Sequence, residues 1–211
     1  MSERGRDVTP TYKSLMVEVR ARNDALDLIL ENRNGLGPIV VRECSYLQIR
    51  IMCELIALAC VVAHDDLTQT QLKALRKTYH AANILDALEQ HHESFFPRAA
   101  TRSLTQIGHH VDFVPGQLDK AGLKTLWEKC GRYLHKGTVN QLSKPQPLEK
   151  DFADVRAAQS ALIGLLNQHV IAIRVKERWL LCDMRSGPDG RGLTVAIADA
   201  AGGPAEMRAP D

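Results

Sequence analysis

The segment from Ile39 to His64 limits the choice of fold more than any other part of this chain. Its second half, Ile51 to Ala63, is apolar on nearly every side and carries one charge, Glu54. A helix that is apolar all round needs packing partners all round. The run is shorter than the roughly 20 apolar residues a bilayer span takes. The segment therefore predicts the central, most buried helix of a helical domain. It also sets a constraint. Glu43, Arg50 and Glu54 share one face of that helix, with Tyr46 and His64 near its edges. Buried charge without a partner is costly, so Arg50 and Glu54 are expected to pair with each other or with a neighbouring helix. Two arrangements satisfy this: an ion-pair network that fixes helix register, or a polar groove within the bundle.

The rest of the chain supplies the helices that would pack around it. Leu15, Val19, Leu26 and Leu30 mark one face of a first helix over about Tyr12 to Arg33, ended by Asn34-Gly35-Leu36-Gly37-Pro38. Thr68 with Gln71 reads as a capping box opening a third helix that runs to about His91. Glu93 to Gly116 is poorly periodic and predicts a long, partly ordered connection. A fourth helix is expected over Leu118 to Lys136 and a fifth from Leu148 to about Val175. Val170 to Ile173 would also suit a strand. The period then changes to two short strands, Arg178 to Arg185 and Leu193 to Asp199, around a Gly/Pro turn. The expected fold is mainly α: a bundle of about five helices over residues 12–176, with a small C-terminal β-hairpin over 177–199. A lone hairpin is marginal in water, so it should pack on the bundle or pair across a dimer. Residues 1–11 and 200–211 read as a flexible start and a disordered tail.

Several classes of function find no support. A net charge of +2 does not demand nucleic acid, although local basic patches remain open. The five cysteines are odd in number, show no CxxC, and include three in the apolar helix, which points to reduced core thiols and a cytoplasmic protein. The polar start, Met1 to Pro10, has no apolar signal core, and no membrane association is expected. There is no P-loop, GxGxxG turn or GxSxG elbow. His91-His92 and His109-His110 lack a carboxylate or cysteine at ligand spacing, so neither a metal nor a cofactor is expected.

The chemistry-bearing stretch is Lys129-Cys130-Gly131-Arg132-Tyr133-Leu134-His135-Lys136-Gly137. Leu123, Leu126, Trp127, Cys130 and Leu134 form the apolar stripe of its helix. At about 100° per residue, Arg132 and His135 fall on the far side, about 60° apart, where their side chains can meet. Lys136 adds charge in the last turn, and Gly137 suits a helix stop. Cations at a helix end are ordinary caps. They are also suited to phosphate: arginine stabilises its charge and histidine moves protons near neutral pH.

The order of helices, the charges on a buried helix and the Arg132-to-Gly137 stretch resemble the HEPN superfamily of helical nucleotide-binding domains, over roughly Tyr12 to Val175. Many members are metal-independent endoribonucleases of toxin–antitoxin and phage-defence systems that dimerise to form a composite arginine–histidine site. The two residues stand closer here than in the family, with only Tyr133 and Leu134 between them. The resemblance implies Arg132 and His135 as catalytic residues, Arg50 and Lys136 as phosphate contacts with Glu54 orienting Arg50, RNA or a nucleotide as ligand, and a homodimer. The alternative is a non-catalytic helical module that binds a protein partner, with the helix-end cations serving only as caps.

Overall fold

The computed structural model describes residues 7–31, 35–64, 80–105, 108–135, 148–173, 178–185 and 192–199. It is mainly helical, with a five-stranded antiparallel sheet. The helices are α1 (Thr9–Glu31), α2 (Pro38–Ala63), α3 (Ala81–Glu89), α4 (Lys120–Leu134) and α5 (Leu148–Leu166). The strands are β1 (Arg98–Thr105), β2 (Gly108–Phe113), β3 (Gln168–Ile173), β4 (Arg178–Asp183) and β5 (Thr194–Asp199), in the order β2-β1-β3-β4-β5.

α2 is the central helix. Pro38 opens it, where a missing N–H leaves no bond unmade, and Gly35 reverses the chain before it at φ +63°. Ile49, Met52, Cys53, Ile56 and Cys60 are fully buried against Met16, Val19 and Leu26 of α1, Leu85 and Leu88 of α3, Leu123 and Cys130 of α4, and Leu162 and Leu166 of α5. Taken whole, α2 is long and apolar enough to cross a membrane by length and composition alone, but 56% of its apolar stretch is buried inside the fold. Burial pushes the Cys53 and Cys60 thiols well above their ordinary range and the Cys130 thiol up to about 12. All five cysteines are free.

The helices cover one face of the sheet, where Ile171, Leu180 and Cys182 join the main core. Two side chains, the buried His169 and the half-buried Arg20, tie the layers together. His169 of β3 directs Nδ1 at the Leu166 carbonyl oxygen, 2.9 Å away, so Nδ1 carries the proton and Nε2 accepts from the Tyr12 hydroxyl of α1 at 2.6 Å. Arg20 of α1 donates to the carbonyls of Met184 and Gly192 at 2.6 and 3.1 Å. On the opposite face a smaller cluster gathers Ala100, Val170 and Leu181 beneath Phe113 and Trp179.

The sheet is larger than the sequence suggests, for two reasons. The segment expected as a loop, Glu93 to Gly116, contains β1 and β2. Only Arg98 and Ala99 of β1 pair with β3, while Ala100 to Thr105 pair with β2 alone. Most of this ribbon therefore projects past the core. Thr101, Ser103, His110 and Asp112 stay exposed, and no apolar alternation is needed. The fifth helix stops at Leu166 rather than near Val175. Val170 to Ile173 form the last four residues of β3, buried at every position, which removes the period-two signal that marks a half-buried strand. The strands over 178–183 and 194–199 do pair, but they extend β3 instead of standing alone. The capping box at Thr68 and Gln71 and the C-terminal tail lie outside the described residues.

Candidate functional site

Three helices meet along a polar seam. α2 carries Arg42, Tyr46, Arg50 and Glu54 at successive four-residue steps, so they form one row along its side. α4 answers with Trp127 and Tyr133, and α5 with Asp151 and Asp154. The Tyr46 and Tyr133 rings stack 4.1 Å apart at 3°. The Arg50 guanidinium lies 4.2 Å from the centre of the Trp127 ring. Glu54 accepts from the indole N–H of Trp127 at 3.0 Å, and its Oε1 is 3.2 Å from Arg50 Nε. Arg42 donates to Asp151 at 3.1 Å and Lys129 to Asp154 at 2.8 Å.

The expected Arg50–Glu54 pair is therefore formed, but at a partly open edge. The two side chains keep 21% and 32% of their exposure. Only Nε of Arg50 faces Glu54; its two terminal nitrogens make no hydrogen bond among the described residues. They lie against α4 at Gly131, where an added Cβ would come 2.8 Å from Nη1. Gly131 thus lets the guanidinium rest directly on the helix surface. Farther along the seam Asp151 is fully buried beside Arg42. Burial raises the Tyr133 hydroxyl above its ordinary range, and the nearby Asp151 carboxylate adds to this.

α4 is built to present its last turn. The Asp119 side chain caps its start by accepting from the Gly122 N–H at 2.7 Å. Lys124 pairs with Asp86 of α3 at 2.5 Å, and Lys120 pairs with Glu89. At the far end the His135 N–H closes the last bond onto the Gly131 carbonyl at 3.1 Å, and the chain leaves the helix at His135 with ψ 138°. Arg132 and His135 are both exposed. Neither side chain has a hydrogen-bond or ion-pair partner among the described residues. His135 follows Gly131 by one turn, so it continues the row along which Arg50 lies. Arg132 sits one helical step from that row. Lys136 lies outside the described residues.

Of the residues singled out from sequence, Arg50 and Glu54 pair with each other, and Arg50 lies against Gly131, in the turn that leads to Arg132 and His135. Sequence spacing did not point to Arg42, Tyr133 and Asp151 as members of the same seam. The available signal was the four-residue row Arg42-Tyr46-Arg50-Glu54 on a helix otherwise rich in apolar residues. No group of three or more His, Cys, Asp or Glu side chains able to hold a metal ion occurs among the described residues. A cavity of about 10 Å³ lies elsewhere, on the outer sheet face beside Arg102, Gln168 and Asp183, with room for at most a water molecule.

Compared with protein-family models, curated proteins and solved structures, the chain matches none.

Proposed function

We propose that the last turn of α4 binds RNA or a nucleotide through Arg132, His135 and the terminal nitrogens of Arg50, in the manner of a HEPN-like protein. The supporting observation is two exposed side chains one helical turn apart, Arg132 and His135, without partners among the described residues, beside the terminal nitrogens of Arg50, which rest on Gly131 and likewise make no hydrogen bond among those residues. A planar guanidinium already stacked on Trp127 and held by Glu54 has lost much of its freedom, so less is lost when it grips phosphate.

Cleavage at this site would need no redox or group-carrier chemistry. A neutral His135 takes the proton of a ribose 2′-hydroxyl, and the oxygen attacks the adjacent phosphorus. The 5′-oxygen leaves and takes a proton from a protonated histidine, in a dimer that of the second copy, giving a 2′,3′-cyclic phosphate. Arg132 neutralises the charge that builds on the phosphoryl oxygens.

The test is RNA cleavage by purified protein in EDTA, read over a broad panel of RNAs. His135→Ala should abolish it with folding intact, because the side chain is exposed. Arg132→Lys should impair it strongly, since lysine lacks the planar fork. If no RNA is cut and no nucleotide binds in calorimetry, the reading fails.

A non-catalytic interaction module is the second reading. It is favoured by a separate observation: most of the exposed apolar bulk of the described residues is concentrated on α1 and α2.

A further inference from the structure

The helices pack on one face of the sheet. The other face departs from the usual pattern of an antiparallel sheet, in which outward positions are polar. Strand alternation puts Arg98 and Arg102 of β1, Phe113 of β2 and Trp179 of β4 on this outer side, around the floor made by Ala100, Val170 and Leu181. The Phe113 and Trp179 rings are half-buried, with their centres 6.0 Å apart. The Arg98 guanidinium lies 3.7 Å from the centre of the Phe113 ring. Arg102 stands on the part of β1 that pairs with β2 alone, so the face runs out along the projecting ribbon.

Charge on this face is one-sided. Neither guanidinium, of Arg98 or of Arg102, has a hydrogen bond or an ion pair among the described residues. Burial without a counter-charge lowers the Arg98 pKa from its ordinary value. Asp183 is the one carboxylate on the face among the described residues. It is 9% exposed, and its oxygens accept from the Gln168 side-chain amide at 2.7 Å and the Arg185 N–H at 2.8 Å. Four residues along a strand set the two arginines about 14 Å apart at their backbones. That spacing suits an extended chain of anionic groups better than a single anion.

We propose that this outer face binds single-stranded nucleic acid. Bases stack against the Trp179 and Phe113 rings and the Arg98 plane, and phosphates pair with Arg98 and Arg102. Aromatic rings and arginine planes on a sheet hold single strands because every unpaired base offers a π-face. A duplex keeps its base faces stacked on one another and cannot use the rings. An apolar peptide would cover both guanidinium groups without giving them an acceptor, which is costly. An acidic peptide would meet the charges and leave the rings unused. The ligand class is that of the proposed function, but no residue is shared with the end of α4, and this inference does not rest on that one.

The experiment is tryptophan fluorescence on the full chain, which has two tryptophans, Trp127 in the polar seam and Trp179 on this face. A short single-stranded RNA of mixed sequence should quench the emission saturably. The quenching should persist in Trp127→Phe and vanish in Trp179→Phe. The same RNA annealed to its complement should quench far less. Arg98→Ala with Arg102→Ala, judged folded by circular dichroism, should lower the slope of log affinity against log salt by about 1.4, the share of two phosphates in a single strand. Absence of quenching, quenching that survives Trp179→Phe, or an unchanged salt slope in the double variant overturns the proposal. So does a Trp179 that acrylamide cannot reach in the free protein, because another part of the chain then covers the face. Equal quenching by an acidic peptide overturns it as well, since charge alone would then suffice. The α4 site is read through His135 and this one through Trp179, so either can fail without the other.

Discussion

Two tyrosines on neighbouring helices are buried to the same degree, and their hydroxyls end differently. Tyr12 of α1 is 1% exposed and donates to His169 at 2.6 Å. Tyr46 of α2 is also 1% exposed, and its hydroxyl sits beside Tyr133 without a well-aligned hydrogen bond. Arg42 Nε, one turn before Tyr46, is likewise buried and unpaired. The Tyr12 region is therefore a closed polar contact: each donor meets its acceptor, and the surroundings are apolar. The α2–α4–α5 seam is polar along its whole length, is only partly satisfied, and opens at Arg50 onto solvent and onto the turn bearing Arg132 and His135. Closed contacts fix a fold. Hydrogen-bonding capacity left over at an accessible edge is what a ligand can use.

The comparison breaks most visibly at Asp151. Asp151→Ala would leave the largely buried Arg42 without its carboxylate and should cost about 3 kcal/mol or more in chemical denaturation. A loss below about 1 kcal/mol would mean the seam is wet throughout.

The closed region should announce itself through pH. Burial lowers the His169 pKa from 6.5 to about 4, despite its bond to Leu166. The unfolded chain then takes up a proton near pH 6.5, while the folded one resists until about 4. Stability from this residue is full above pH 6.5, falls as pH drops toward 4, and changes no further below that. The loss should approach about 3 kcal/mol, at about 1.4 kcal/mol per pKa unit. His169→Gln should flatten that part of the stability–pH curve.

Single hydroxyls sharpen the contrast. Tyr12→Phe strands the Nε2 acceptor of His169 in the core and should cost about 1–3 kcal/mol. Tyr46→Phe removes a hydroxyl that has no well-aligned bond, keeps the ring stack on Tyr133, and should leave stability unchanged or slightly raised. Equal losses in the two variants would erase the distinction. Thermal melts of both, run side by side, are enough to decide.

The same two regions show what sequence can and cannot reveal. α1, α2 and α4 were legible to within a few residues, because an amphipathic or all-apolar helix writes its period into the chain. The Arg50–Glu54 pair was legible because two opposite charges one turn apart on an apolar helix have few other options. β1 and β2 were not legible. A ribbon projecting past the core has no reason to alternate, and Thr101, Ser103 and Asp112 read as loop residues. β3 was ambiguous because it is buried along its length. The Tyr12–His169 contact joins residues 157 apart in the chain, and neither residue carries a local mark of the other. Asp151 reads from sequence as an ordinary acidic residue in the first turn of a helix; only the packing of α5 on α2 places it against Arg42.

The central claim is that ligand contact occurs at the open end of α4 and not at the closed histidine in the core. The imidazole resonances of His135 and His169 in a magnetic resonance titration with single-stranded RNA test it directly. The account predicts that His135 signals move in proportion to added RNA while those of His169 stay fixed, and that Arg132→Ala sharply weakens the response. A titration in which RNA binds and His135 does not respond would contradict it.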